Sequence, residues 1–158
     1  SLVWVVDVLI EVQQAHFDPG ERLNRLHADH LGVGAVVGFV GYVRDYNEGD
    51  PVSGMWLEHY PGMTEKALTG IVEQAQTRWP LLDVQVLHRV GQLEPGEPIV
   101  FVGVASAHRQ AAFEANAFIM DYLKTRAPFW KREATPDGER WVDARDSDEV
   151  ALSRWKTD

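Results

Sequence analysis

The chain contains no cysteine. That excludes disulfides, thiolate-bound metals, and a cysteine serving as nucleophile or sulfur carrier. It also fits a cytoplasmic setting. Long hydrophobic runs are missing as well. The most apolar N-terminal stretch, residues 3–10, is interrupted by Asp7 and lacks the flanking basic segment and A-x-A site of a signal peptide. It is far shorter than the roughly 20 residues needed to span a bilayer, so it reads as a strand, with no membrane association expected. The sequence begins at Ser1 rather than Met, which reads as a trimmed N-terminus. Positive charge is scarce: 15 Lys and Arg against 24 Asp and Glu give a net charge of −9, which argues against a nucleic-acid partner. No phosphate-binding or dinucleotide glycine fingerprint is present, because the glycines at 32, 34, 38 and 41 fit neither spacing.

What is present suits one domain spanning residues 1–158, with an acidic tail from 146 expected to be helical or flexible. Residues 2–12 are rich in β-branched side chains and read as a buried strand. Asp18-Pro19-Gly20-Glu21 is a helix start, and that helix is expected to run to Gly32. Residues 34–44, GAVVGFVGYVR, read as a strand whose Gly38 and Gly41 mark a bulge or a close backbone approach. Residues 45–54 read as a polar loop. Strands are expected over 55–60, 84–90 and 99–105, with a turn at 93–98. One helix is expected from Pro61-Gly62 to Trp79, and another over 107–125, capped by Ser106 and ended by Pro128. Residues 129–135 and 140–144 form a hairpin around 135–138. The pattern predicts an α+β fold: a mostly antiparallel sheet with helices on one face.

The few cations are not evenly spread. Residues 120–133, MDYLKTRAPFWKRE, hold Lys124, Arg126, Lys131 and Arg132 beside Tyr122, Phe129 and Trp130. A cationic site on an acidic chain points to a small anionic ligand; a solvated helix end is the plainer account. Pro128 turns the chain out of the helix, which would bring Lys131 back beside Lys124. Two ammoniums in one partly apolar pocket depress each other's pKa and become usable as acid, base or nucleophile. SAHR, residues 106–109, places His108 and Arg109 at a helix N-terminus, where phosphates bind. Arg44, at the end of a glycine-punctuated strand, can clamp phosphate or carboxylate. His27 and His30 are three residues apart on a helix but have no partners that define a metal site.

These residues carry a resemblance. LEHYPGMTEKAL (57–68), VFVGVASAHRQAAFEA (100–115) and FIMDYLKTRAPFWKRE (118–133) resemble the large, catalytic subunits of molybdopterin synthase, and the likeness runs from about residue 34 to about 145. It implies an α/β-hammerhead-like fold with a small β subdomain, and a homodimer within a heterotetramer. It also implies a ubiquitin-like sulfur-carrier small subunit ending in a Gly-Gly thiocarboxylate. Two sulfurs would pass to cyclic pyranopterin monophosphate, with no further cofactor. The substrate contacts it implies are Tyr42, Val43, Arg44, His108, Arg109, Arg132 and Glu133, with Lys124 and Lys131 as the catalytic pair. Arg44, His108 and Arg109 would hold the phosphate, and Glu133 would orient Lys131 or Arg132. Arg145 is a further candidate, joining the site across the dimer.

His108 and Lys124 lie near opposite ends of one expected helix, about 24 Å apart at 1.5 Å per residue. Each site is therefore expected to combine Lys124 and Lys131 of one protomer with His108 and Arg109 of the other. Two other readings stay open at this point: a cyclic-phosphate hydrolase using His108 as base, and a non-catalytic dimeric module that binds a ubiquitin-like partner.

Overall fold

The computed structural model describes residues 6–142 and 146–156. The main sheet has the strand order β1-β6-β8-β2, formed by β1 (Asp7–Gln13), β6 (Asp83–Arg89), β8 (Pro98–Ser106) and β2 (Ala35–Tyr42). Only β1 and β6 run parallel; the other pairs are antiparallel. Alternation assigns the faces. Val84 and Val86 of β6, with Val100, Val102 and Val104 of β8, point toward α2 (Met63–Arg78) and α3 (Arg109–Arg126). There they meet Leu68, Ile71, Val72, Phe118, Ile119 and Leu123, which form the principal core. Leu87, Phe101 and Ala105 point the other way, against Leu26.

That second face is covered by the short helix α1 (Pro19–Arg25), so the helices are not all on one side. Two glycines make room for it. Gly38 and Gly103 are register partners on β2 and β8. A Cβ at Gly38 would lie 2.7 Å from Leu23 Cδ1, and one at Gly103 would collide with Leu26 Cδ1. Gly38 is therefore a close approach, and the register shift after Gly41 is the expected bulge. Asp18 caps α1 as expected, accepting from the Gly20 amide at 3.0 Å. The helix stops at Arg25 rather than Gly32, because Leu26 drops fully buried into the glycine trough.

The second sheet has the order β10-β9-β5-β7, all antiparallel, from β10 (Gly138–Val142), β9 (Phe129–Thr135), β5 (Gly54–His59) and β7 (Gly91–Leu93). Strand β7 was not expected. The loop at 45–54 also holds a small hairpin, β3 (Tyr46–Asn47) with β4 (Asp50–Pro51), turned by Glu48 and Gly49 at positive φ. Ser106 does not cap α3. It ends β8, and its hydroxyl donates to the Pro80 carbonyl at 2.8 Å; His108 occupies the cap position. The acidic tail forms α4 (Asp146–Leu152) and a 3₁₀ turn (Ser153–Trp155). It is docked: Leu152 is fully buried, and Trp155 packs edge-on against Trp79 and Phe118. Among the described residues, no helix is long and apolar enough to cross a membrane.

Candidate active site

A cavity of about 380 Å³ opens where α3 ends and β9 begins. Lys124 lies in the last turn of α3, and Pro128 then takes the chain out of the helix. Two contacts fix the turn. Thr64, buried on α2, donates its hydroxyl to the Pro128 carbonyl at 3.0 Å and accepts from the Tyr60 amide at 3.0 Å. Phe129 stacks on His88 with ring centroids 4.0 Å apart. Strand β9 then pairs with β5, setting Lys131 opposite Leu57. Lys131 thereby returns to within hydrogen-bonding reach of Lys124.

The electrostatics follow from this placement. Burial lowers the Lys131 pKa to about 8, and the charge and hydrogen bond of Lys124 add to the effect; Asp148 and Glu133 oppose it. His88 is buried, and burial pushes its pKa down to about 3, so its ring is neutral. Glu133 is only 6% exposed. It accepts from Asn47 Nδ2 at 2.7 Å and from the Arg140 guanidinium at 3.4 Å. Asn47 Oδ1 in turn accepts from Arg44 at 3.5 Å, and Arg140 also donates to Asp50 at 2.8 Å. The β3–β4 hairpin is thus tied to both β9 and β10 beside the cavity.

Six of the expected site residues line the cavity: Tyr42, Val43, Arg44, Lys124, Lys131 and Glu133. Arg132 does not. It alternates to the outer face of β9, where it lies 3.4 Å from Glu139 and over the Trp141 ring. Glu133 accordingly bonds Asn47 and Arg140 rather than Arg132. His108 and Arg109 stand at the far end of α3, away from this cavity. Arg145 lies outside the described residues.

Among the cavity residues that were not expected, Asn47, His88, Phe129 and Asp148 bear on the lysines or on Glu133. Asn47 sat in a segment read as loop. His88 carried one signal, a histidine on the same face of the strand VQVLHRV as Val84 and Val86. Phe129 lay in the aromatic-cationic stretch and had been read only as buried apolar surface. Asp148 was part of the tail.

This is an α+β protein whose single-chain cavity presents paired lysines and an arginine among aromatic walls, an arrangement suited to a flat anion. The chain belongs to the MoaE protein family, whose profile matches residues 12–126. It is 69% identical over 147 residues to a molybdopterin synthase catalytic subunit of Pseudomonas aeruginosa, covering 93% of this chain and 98% of that one. A solved molybdopterin biosynthesis MoaE protein from Burkholderia ambifaria MC40-6 is similar at 51% identity and a TM-score of 0.81, covering 96% of this chain and 99% of that one. The same fold appears, at 19% identity and a TM-score of 0.72, in a chain of the complex of subunits 1 and 2 of molybdopterin-converting factor from Helicobacter pylori 26695. That match covers 86% of this chain and 91% of the other.

Proposed function

We propose that this chain is the catalytic subunit of a molybdopterin synthase and acts as a sulfurtransferase. A ubiquitin-like small subunit presents a C-terminal thiocarboxylate. Its sulfur is transferred to cyclic pyranopterin monophosphate, and a second transfer completes the dithiolene. The observation that carries this reading is the contact of Lys131 with Lys124 in an aromatic-walled cavity. The Lys124 ammonium stabilises negative charge as the sulfur adds to a side-chain carbon of the pterin and the oxygen on that carbon is displaced, leaving protonated. The Lys131 amine, with a pKa of about 8, takes up and returns a proton. Sulfur bonded to both carrier and pterin is a thioester; water cleaves its acyl–sulfur bond, releasing the carrier as a carboxylate. Arg44 faces the phosphate, held through Asn47 and Glu133.

The working unit is a homodimer in which the partner copy supplies His108 and Arg109. Strand β2 supports this assembly. It is an edge of the main sheet, and its sequence, AVVGFVGY, has no charge or proline to deter pairing. The opposite edge, β1, carries Asp7 and Glu11. Antiparallel pairing of β2 with its copy sets Ala35 of one chain across from Tyr42 of the other. Ala35 is the register partner of Ser106, and Tyr42 lines the cavity. Two strand spacings, roughly 10 Å, then separate Tyr42 from the partner's end of β8, where His108 and Arg109 follow.

The test is a single-turnover assay with cyclic pyranopterin monophosphate and thiocarboxylated small subunit, comparing wild type with Lys124→Ala and Lys131→Ala. Dithiolene formation by wild type, with loss in both variants and small-subunit binding retained, is expected. No product from wild type would sink the reading.

A further inference from the structure

We propose that His88 is a positioning residue for Lys131: its imidazole, held by the Arg89 carbonyl and the Phe129 ring, supplies the acceptor that orients the Lys131 side-chain nitrogen. The inference rests on the reading of Lys131 as the proton-handling residue.

His88 sits near the end of β6 among Val84, Val86 and Leu87, all buried. An apolar side chain would fill this space without the penalty of burying a polar ring. The imidazole therefore calls for a chemical account. Its Nδ1 lies 2.8 Å from the Arg89 carbonyl, which can only accept. The proton is thus on Nδ1, and the neutral ring leaves Nε2 as an acceptor. The ring plane is clamped at 22° to Phe129, which begins the strand that carries Lys131 two residues later. The acceptor and the lysine are therefore fixed to the same turn.

The charged and titratable groups around His88 are Lys131 on β9, Lys124 on α3, His59 on β5 and Arg89 on its own strand. Lys131, Lys124 and His59 each disfavour a proton on His88. The Arg89 guanidinium is directed elsewhere, to the Gln14 carbonyl and Glu97. Around Lys131 the carboxylates are Asp148 on α4 and Glu133 on β9. Glu133 is already engaged by Asn47 and Arg140. In a cavity crowded with N–H donors, a permanently neutral imidazole gives Lys131 an acceptor without adding a charge. Such an acceptor favours the ammonium over the amine. It therefore holds the Lys131 midpoint above the value that burial and Lys124 alone would set.

The experiment uses the low lysine count. With four lysines, a side-chain ¹³C-lysine-labelled protein gives few signals, and Lys131 is assigned by its loss in Lys131→Arg. In wild type the Lys131 signal should titrate near 8. His88→Phe keeps a stacking ring and removes the acceptor. It should lower the midpoint by about half a pH unit or more and slow single turnover roughly 10- to 100-fold. His88→Gln, which offers a neutral acceptor without the stack, should recover most of the midpoint. A midpoint unchanged in His88→Phe overturns the inference. If that variant does not fold, the ¹⁵N shifts of His88 in wild type decide: a proton on Nε2 overturns the inference, and an unprotonated Nε2 with a near-wild-type midpoint in His88→Gln supports it. If wild type makes no product but the midpoint moves in His88→Phe, the sulfur-transfer reading fails and the His88–Lys131 coupling stands.

Discussion

Lys131 meets Lys124 across the turn from α3 to β9, and its ammonium form is destabilised there by burial and by its neighbour. Two like charges are held together because the turn is fixed from outside, by Thr64 on one side and His88 on the other. The protein thus spends stability on a site, and the consequences can be measured.

The first concerns pH. The folded pKa of Lys131, about 8, lies below its ordinary value of 10.5. Between these values the unfolded chain binds more protons than the folded one, so this group makes stability rise with pH from about 8 to 10.5. Below 8 the full penalty is present. Lys131→Met should therefore stabilise the fold at neutral pH, on the order of 2 kcal/mol. Urea denaturation at pH 7 and pH 10 checks it: the gain should shrink at the higher pH.

The same group sets the rate. If Lys131 works as a base in the transfer, the single-turnover rate should rise with pH and level off above about 8. Lys131→Arg keeps the charge but cannot lose its proton. It should lower the rate roughly 10²- to 10⁴-fold and abolish the inflection. A pH–rate profile of both proteins is the measurement.

Thr64 should matter to turn geometry rather than to chemistry. Thr64→Val removes the bonds to the Pro128 carbonyl and the Tyr60 amide while keeping the shape. We expect a loss of about 1–3 kcal/mol and a slower turnover with an unshifted pH inflection. Thermal melts alongside the pH–rate profile separate the two effects.

The proposal that two protomers share each site predicts complementation. Lys131→Ala and Arg109→Ala should each be inactive alone. Unfolded and refolded together, half of the dimers are mixed, and each mixed dimer keeps one intact site of two, so about one quarter of wild-type activity should return. No recovery would mean that each chain builds its own site. In this cysteine-free chain, cysteines at Val37 and Val40, which face each other across the copies in this register, should also yield a disulfide-linked dimer if β2 is the interface.

Gly103 gives a test of the fold itself. A Cβ there would collide with Leu26 and reach within 3 Å of Phe101. Gly103→Ala should destabilise by about 1–3 kcal/mol in urea denaturation, through displacement of α1.

Much of this was set locally. Asp18 capped α1 where expected, Pro80 and Pro128 ended helices, and Gly38 and Gly41 marked a close approach and a bulge. Such signals act within a few residues, so they survive in a sequence read without its fold. The errors share the opposite cause. Ser106 resembled a cap, but its hydroxyl answers Pro80, which is distant in sequence. Residues 91–93 become a strand only because β5 offers an edge. Helix α1 ends early because Leu26 finds a trough made by two other strands.

The two cavity lysines divide the same way. Six residues, one of them a proline, separate Lys124 from Lys131, so the sequence by itself determined that they turn toward each other. Only the tertiary structure decided what that pair becomes. Thr64, His88 and Asn47 come from α2, β6 and β3. Their contacts with the turn and with Glu133 depend on the packing of two sheets around α3. Burial and hydrogen-bond partners are properties of that packing, and they bring the Lys131 pKa to about 8 and keep His88 neutral.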